Sequence, residues 1–184
     1  MVFFDRIKRI FMSRKTENHP LLEIVRLVSD GDAEVLADAE ACVTDTAAYV
    51  KGHIEDYEAR GLSGKDDEAF LQWIGCLDRL IEAKYVCECD WQVDMEEFLY
   101  QLSALEGITQ HQLFLAGHRL DENWSISQWC EAIDEQWQEE ACGLVAFDIE
   151  SDSILIAPCS EETITQLMAI ASTVGYPIDR AMHI

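Results

Sequence analysis

The stretch "GLVAFDIESDSILIAPCSEETITQLMAIASTVGY", residues 143–176, decides the fold. It opens with two short β-prone runs, "GLVAFDI" and "SILIAP", which are separated by the turn composition "ESDS". This pattern predicts an antiparallel hairpin with strands near residues 143–149 and 153–158. Ser160 then begins a run of apolar residues at helical spacing, which Gly175 ends. A C-terminal helix is therefore predicted over residues 161–175.

The chain before the hairpin has mainly helical patterns. The segment "YVCECDW", residues 85–91, alternates and predicts one further strand. Apolar residues spaced by three or four predict helices over residues 20–30, over 36–57, after Asp66 or Asp67, over 94–107 and over 125–140. The 36–57 pattern fits one long helix, or two helices with a break at "TDT", residues 44–46, where side-chain hydroxyls cap the second. The fold class predicted is an α-rich single α+β domain over residues 20–184 with a small antiparallel sheet.

The charge of the chain is strongly negative and unevenly placed. Its 184 residues include 36 acids and 13 bases, a formal net charge of −23. Residues 1–15 hold five bases and one acid, so the remaining 169 residues carry 35 acids against eight bases. Such a body repels phosphate, and we expect it not to bind nucleic acid. It suits a basic protein partner, although a solvated acidic surface has the same composition.

Residues 1–15 form a predicted basic amphipathic helix. Five apolar side chains recur there at helical spacing, and Arg6, Lys8 and Arg9 lie on the other side. The helix either contacts an anionic membrane or packs on the core of the protein. Membrane contact is expected through this segment alone, because no part of the chain approaches 18 uncharged apolar residues.

The cysteines indicate the cellular compartment, and the absence of known catalytic motifs limits the reactions that the sequence predicts. Seven cysteines, an odd number without a C-x-x-C pair, follow a start that lacks the pattern of a signal peptide. We therefore expect reduced thiols in a cytoplasmic protein. No phosphate-binding loop, dinucleotide fingerprint, nucleophile elbow or H-E-x-x-H is present, so the sequence predicts no cofactor and favours a protein that is not an enzyme.

The acidic turn of the hairpin is the candidate ligand site. Asp148, Glu150 and Asp152 have the spacing of the first three ligands of an EF-hand. Ser153 replaces the required glycine and Cys159 the final acid, and the flanks are predicted strands, so an EF-hand is excluded. A looser divalent-metal site and a solvated turn both remain open.

Five tryptophans are many for this length, and two of them stand at predicted element ends. Trp91 ends a strand and Trp124 precedes a helix, positions that line pockets or partner grooves as well as cores. The candidate interaction or ligand residues are therefore Asp90, Trp91, Trp124, Asp148 and Asp152.

Two segments carry a resemblance to a known family. "DWQVDMEEFLYQL", residues 90–102, and the 143–176 stretch together resemble an uncharacterised bacterial family of small domains of unknown function. The matching positions are Asp90, Trp91, Asp148, Asp152 and Ser153, and the chain departs from the pattern at Gln92, where a lysine is expected. The resemblance implies an α+β fold with a hairpin followed by a final helix, and it implies no activity.

Two main hypotheses of function follow. The first is a non-enzymatic cytoplasmic interaction protein, adaptor-like or immunity-like toward a basic partner. The alternative is a small-ligand or divalent-metal-dependent enzyme that uses Asp90, Asp148 and Asp152. A protein partner recovered in a salt-dependent way supports the first, and a metal-dependent rise in melting temperature supports the second.

Overall fold

The computed structural model describes residues 19–116 and 119–183. The predicted basic helix over residues 1–15 lies outside the described residues. The described chain falls into two compact units, residues 19–80 and residues 81–183, and each is described by itself. Helices together with a small antiparallel sheet confirm the α-rich α+β class.

The first unit is built from helices. They are α1 (Pro20–Val28), α2 (Ala33–Thr44), α3 (Thr46–Gly52), α4 (Ile54–Ala59) and α5 (Glu68–Glu82), within whose last turn the unit ends at Leu80. The segment predicted as one or two helices is broken at Asp45, whose carboxylate accepts the Ala48 amide at 3.1 Å and caps α3. The expected cap by a threonine hydroxyl is wrong, because Thr46 Oγ1 instead donates to the Cys42 carbonyl at 3.0 Å.

A buried tyrosine organises the core of this unit. The Tyr57 hydroxyl donates to the Leu71 carbonyl at 2.9 Å, and the side chain is 1% exposed. Gly75 of α5 lies against this ring, so that a Cβ built there would lie 2.3 Å from Tyr57 Oη. The close approach of α5 to the tyrosine therefore requires glycine at position 75.

The second unit contains the sheet. Its elements are β1 (Cys87–Asp90), α6 (Met95–Ser103), α7 (Glu106–Gln110), α8 (Ile126–Gln136), β2 (Cys142–Phe147), β3 (Ser153–Ser160), α9 (Glu161–Val174), β4 (Ile178–Arg180) and a 3₁₀ turn (Ala181–His183). Within the described residues the strands form one sheet in the order β1–β3–β2–β4, and every neighbouring pair is antiparallel. The three predicted strands are confirmed, whereas β4 was not predicted.

The predicted hairpin and final helix are confirmed in detail. Strands β2 and β3 pair from Phe147 opposite Leu155 to Cys142 opposite Ser160. Ser160 both ends β3 and caps α9, because its hydroxyl accepts the Thr163 amide at 3.1 Å. Gly175 follows the helix with a φ of 80°, the left-handed conformation that favours glycine at this position.

Alternation along the strands gives the sheet two buried faces. On one face, strand residues pack with α6 and α8 in a cluster that includes Cys87, Cys89, Leu144, Ala146, Ile156, Phe98, Trp129 and Trp137. The alternate residues, such as Val145 and Leu155, point to the face covered by α9. Cover on both faces explains why every residue of β2 is buried rather than every second one.

The C-terminal end predicted for one helix of this unit is wrong. The helix expected over 94–107 ends at Ser103, and Gly107 lies inside the separate helix α7 instead of ending the first. Its role is close packing, since a Cβ at Gly107 would lie 2.8 Å from the Pro158 carbonyl oxygen.

None of the helices in the described part of the chain has the length and apolar character needed to cross a membrane.

Candidate functional site

The predicted site residues gather at the end of the sheet where the hairpin turns. Asp90 ends β1 and pairs with Ser153, the first residue of β3. The Trp91 amide donates to the Asp152 carbonyl at 3.2 Å, which continues this pairing by one step. Asp148 follows β2, and its amide donates to the Pro177 carbonyl at 2.9 Å. Strand pairing therefore sets Asp90, Trp91, Asp148 and Asp152 along one edge of the fold.

Trp91 and Trp124, 33 positions apart in the sequence, line one cavity of about 180 Å³. Trp91 is 60% exposed and Trp124 is 37% exposed, whereas Trp129 below them is buried. Ile154 of β3 completes the floor of this cavity. We call it the tryptophan pocket, defined by Trp91, Trp124, Trp129 and Ile154.

Local hydrogen bonds hold Trp124 at the rim. The Asp121 carboxylate accepts the Asn123 amide and side-chain nitrogen, both at 2.9 Å, and these bonds lower the pKa of Asp121. The Asp121 carbonyl accepts both the Trp124 amide at 3.0 Å and Trp129 Nε1 at 2.7 Å. The predicted capping box then begins α8, with Ser125 and Gln128 each accepting the other's backbone amide. The loop is thereby fixed on both sides of Trp124.

The opposite rim is held by a turn at Asp90. Its carboxylate accepts the Gln92 amide at 2.7 Å, and its carbonyl accepts the Val93 amide at 2.9 Å. These two bonds turn the chain sharply after β1 and leave the Trp91 ring exposed. The carboxylate of Asp90 thus shapes the loop that presents Trp91.

A second, larger cavity of about 580 Å³ adjoins the first. Its lining includes Ile154, Asp148 after β2, Tyr176 before β4 and Asp179 within β4. His183 also lines it, and its Nδ1 lies 3.0 Å from Asp179 Oδ1, a contact that lowers the pKa of Asp179. We call this cavity the acidic cleft, defined by Ile154, Asp148, Tyr176, Asp179 and His183.

Ile154 lines both cavities, so they adjoin at this side chain, and we call the two together the groove. In the sheet, strand β3 lies between β1 and β2, and Ile154 of β3 pairs with Cys89 of β1. Cys89 and Ala146 belong to the face that packs with α6 and α8, and the larger cavity is lined both by Ala146 and by Phe147 and Ile178 of the other face. The groove therefore has exposed indole rings at one end and carboxylates at the other.

The surroundings of the groove are negative. Residues 81–184 hold 20 acids against three bases. The Arg180 guanidinium of β4 pairs with the Glu161 carboxylate and lies 3.8 Å from Asp134 Oδ2, so its charge is locally balanced. Asp90, Asp148, Asp152 and Asp179 are all exposed at or beside the groove. Their combined field favours cationic groups there.

The cysteines of the described residues lie in the interior, and their environments differ: a hydrogen bond with Cys76 lowers the pKa of Cys42. All seven cysteines are free and buried. Burial raises the pKa of Cys159 to about 12, so this thiol stays protonated at neutral pH. Among residues 19–116 and 119–183, no group of three His, Cys, Asp or Glu is placed to hold a metal ion. In the hairpin turn the Asp148 carboxylate accepts the Glu150 amide at 2.7 Å.

Comparison with known families bears on the whole of this architecture. The model of one family, described as "Domain of unknown function (DUF6630)", matches residues 20–181. The chain belongs to this family. The match confirms the resemblance to a domain family of unknown function, and DUF6630 extends over both compact units and all of the groove residues except His183. No curated protein and no solved structure matches the chain.

Sequence reasoning missed the far wall of the groove of this DUF6630 domain. Tyr176, Asp179 and His183 lie on and around β4, which is three residues long and too short for alternation to show. Pro177 was interpreted as a helix stop, and it is also the residue whose carbonyl extends the pairing with β2. A usable signal was the apolar–acidic–basic order of Ile178, Asp179 and Arg180 directly after that proline.

Proposed function

We propose that this domain is a non-enzymatic protein-interaction module that binds a basic segment of a partner protein in the groove. The observation that carries the proposal is the pair of exposed indoles, Trp91 and Trp124, which face one pocket in a strongly acidic unit. Aromatic anchors in a pocket supply most of the affinity of many interfaces. The negative field speeds the encounter with a positive partner and selects against acidic ones.

Cation–π contact explains why the tryptophans and acids occur together. A guanidinium or ammonium group over an indole gains about 0.5–1 kcal/mol at an exposed site and about 2 kcal/mol when desolvated. Trp91 and Trp124 offer two ring faces, and Asp90 and Asp152 lie beside Trp91. A basic side chain in the tryptophan pocket is thus favoured both by the rings and by the nearby carboxylates.

We also propose that the protein works in the cytoplasm. Seven free, buried thiols support this placement, because exported proteins with many cysteines usually pair them. Fractionation of cells that express the tagged full chain tests it, and recovery outside the cytoplasmic fraction would refute it.

The test of the interaction is direct binding of arginine-containing peptides to the full chain. Fluorescence anisotropy at about 0.05 M and about 0.5 M salt should show binding that weakens with salt, while the same peptides with glutamine for arginine should not bind. Trp91→Ala should weaken binding about tenfold, which corresponds to about 1.4 kcal/mol. Tyr100→Ala is the matched control, because Tyr100 is a 70% exposed aromatic on α6 outside the groove lining. No binding at low salt, or equal effects of the two variants, would overturn the proposal.

A small-ligand binder is the second candidate, and the size of the acidic cleft favours it. Its volume of about 580 Å³ lies within the range of about 300–1,000 Å³ typical of ligand sites. Small amines or divalent cations that bind there should raise the melting temperature, and Asp148→Asn should remove the rise. A melting temperature unchanged by both classes of ligand would count against this candidate.

A further inference from the structure

We infer that the acidic cleft is a second subsite for the same partner segment, so that the groove recognises two basic side chains four residues apart in an extended chain. The inference rests on the proposed function and specifies the partner's chemistry. The tryptophan pocket takes the first basic side chain between its indoles. The acidic cleft takes the second one between the carboxylates of Asp148 and Asp179.

The first step is that both subsites adjoin at Ile154, at the end of the sheet where the hairpin turns. Ile154 lies in the lining of each cavity, and its neighbours Cys89 and Ala146 belong to the core cluster of one face. The Trp91 amide continues the β1–β3 pairing by one step, and Asp148 directly follows β2, so both residues lie at this end of the sheet. A single segment lying across this end of the sheet therefore meets both subsites.

The second step is the chemistry of the cleft. Ala146 pairs with Asp179, so Asp148 is the diagonal same-face neighbour of Asp179, at a Cα separation of about 7–8 Å. Two carboxylates at this separation can flank a single guanidinium or ammonium group. The apolar walls at Ile154 and Ala146 suit the methylene stem of the same side chain. The lining thus matches a lysine or arginine along its whole length.

The third step is the distance between the subsites. Trp91 directly follows β1, and Asp148 directly follows β2. Because β3 lies between these strands, the two residues are two strand spacings apart across the sheet and two residues apart along it. With strands about 4.8 Å apart and a rise of about 3.4 Å per residue, the two Cα atoms lie about 12 Å apart. Four residues of an extended chain span about 13 Å, and residues i and i+4 point to the same side. The geometry therefore selects an i, i+4 pair of basic residues.

The occupant is argued from charge. The unit that carries the groove has 20 acids and three bases, and one of those bases, Arg180, is held by Glu161. A segment with two basic residues complements both ends of the groove, whereas an apolar segment would leave the cleft carboxylates facing its backbone. A basic, extended peptide segment is the occupant that satisfies both subsites.

The experiment measures the affinity of the full chain for labelled peptides with two arginines separated by two, three, four or six positions in a glycine–serine background. We expect the four-residue separation to bind at least fivefold more tightly than the other peptides and than a single-arginine peptide. The Asp148→Asn/Asp179→Asn double variant should lose this preference while keeping its affinity for the single-arginine peptide. The matched control is Glu135→Gln/Glu139→Gln, which removes the same charge from exposed residues outside the lining of the groove.

The outcomes separate the two proposals. If single-arginine peptides bind and respond to Trp91→Ala, but all spacings bind equally, the second subsite is refuted and the interaction proposal stands. If no arginine peptide binds, both are refuted. An optimum at six positions would refute the extended conformation of the occupant, and arginine amide binding as tightly as the best peptide would refute a peptide as the occupant.

Discussion

Gly75→Ala should destabilise the protein, although alanine normally strengthens a helix. In α5 an alanine Cβ would lie 2.3 Å from Tyr57 Oη, 2.9 Å from Cys42 Sγ and 3.2 Å from Tyr49 Cε1. The first of these distances is far below a van der Waals contact. The tyrosine ring or the helix must therefore shift, and all three neighbours belong to the buried core.

The magnitude follows from three contributions. Gly→Ala in a helix interior favours folding by about 1 kcal/mol. Displacing the Tyr57 hydroxyl breaks its bond to the Leu71 carbonyl and leaves buried polar groups unpaired, at a cost of about 1–3 kcal/mol. Overpacking of the core adds about 1–3 kcal/mol. The net expectation is a loss of about 1–5 kcal/mol in the free energy of unfolding.

Urea unfolding followed by circular dichroism measures this loss. Gly52→Ala in α3 is the control, because a Cβ there meets no atom within 4 Å, and it should leave stability unchanged or raise it by up to about 1 kcal/mol. Tyr57→Phe removes the atom that clashes, so adding Gly75→Ala to Tyr57→Phe should cost clearly less than adding it to the native chain. A Gly75→Ala protein as stable as the native one would refute the packing argument.

Two further perturbations test the second unit. Burial raises the pKa of Asp134 to about 6 in the folded protein, so the folded state binds the proton more tightly than the unfolded state does. The free energy of unfolding should therefore fall by up to about 3 kcal/mol as the pH rises from about 4 to about 6. Asp134→Asn, which keeps an oxygen for the Leu144 amide, should flatten that slope in urea titrations, and an unchanged slope would contradict the assignment. Ser160→Ala removes the cap of α9 and should lower the free energy of unfolding by about 1 kcal/mol, whereas an unchanged melting temperature would show that the cap contributes nothing.

The hairpin and the final helix were predictable because their signals are local. Ser160 as a cap, Gly175 at a left-handed position and a polar turn between two apolar runs each act within a few residues. The same holds for the Ser125 capping box and for Ile126, Trp129 and Ile133 of α8, whose helical spacing indicates a buried face and which are all buried. Local chemistry fixes such elements without reference to the rest of the chain.

The groove was not predictable as a unit because it depends on strand order. The sequence indicated Trp91, Trp124 and Asp148 separately, but it did not show that β3 lies between β1 and β2 and brings them together. Strand β4 escaped prediction because three residues carry no readable period. In α5 the expected buried side was Phe70, Ile74, Leu77 and Ile81, of which Ile74 and Leu77 are buried and the other two are half-buried. The helix also buries a wider face than an amphipathic pattern implies. Long-range packing decides these features.

The presence of Ile154 in the lining of both cavities limits how the binding specificity of such a domain can change during evolution. The Ile154 side chain lines both cavities. Its replacement by a bulkier residue would therefore separate the tryptophan pocket from the acidic cleft. Its replacement by a smaller residue would join the two cavities into a single wide groove that accepts basic residues at many separations along a partner peptide. Across a lineage, the identity of this residue would then track the length of motif that the partner presents.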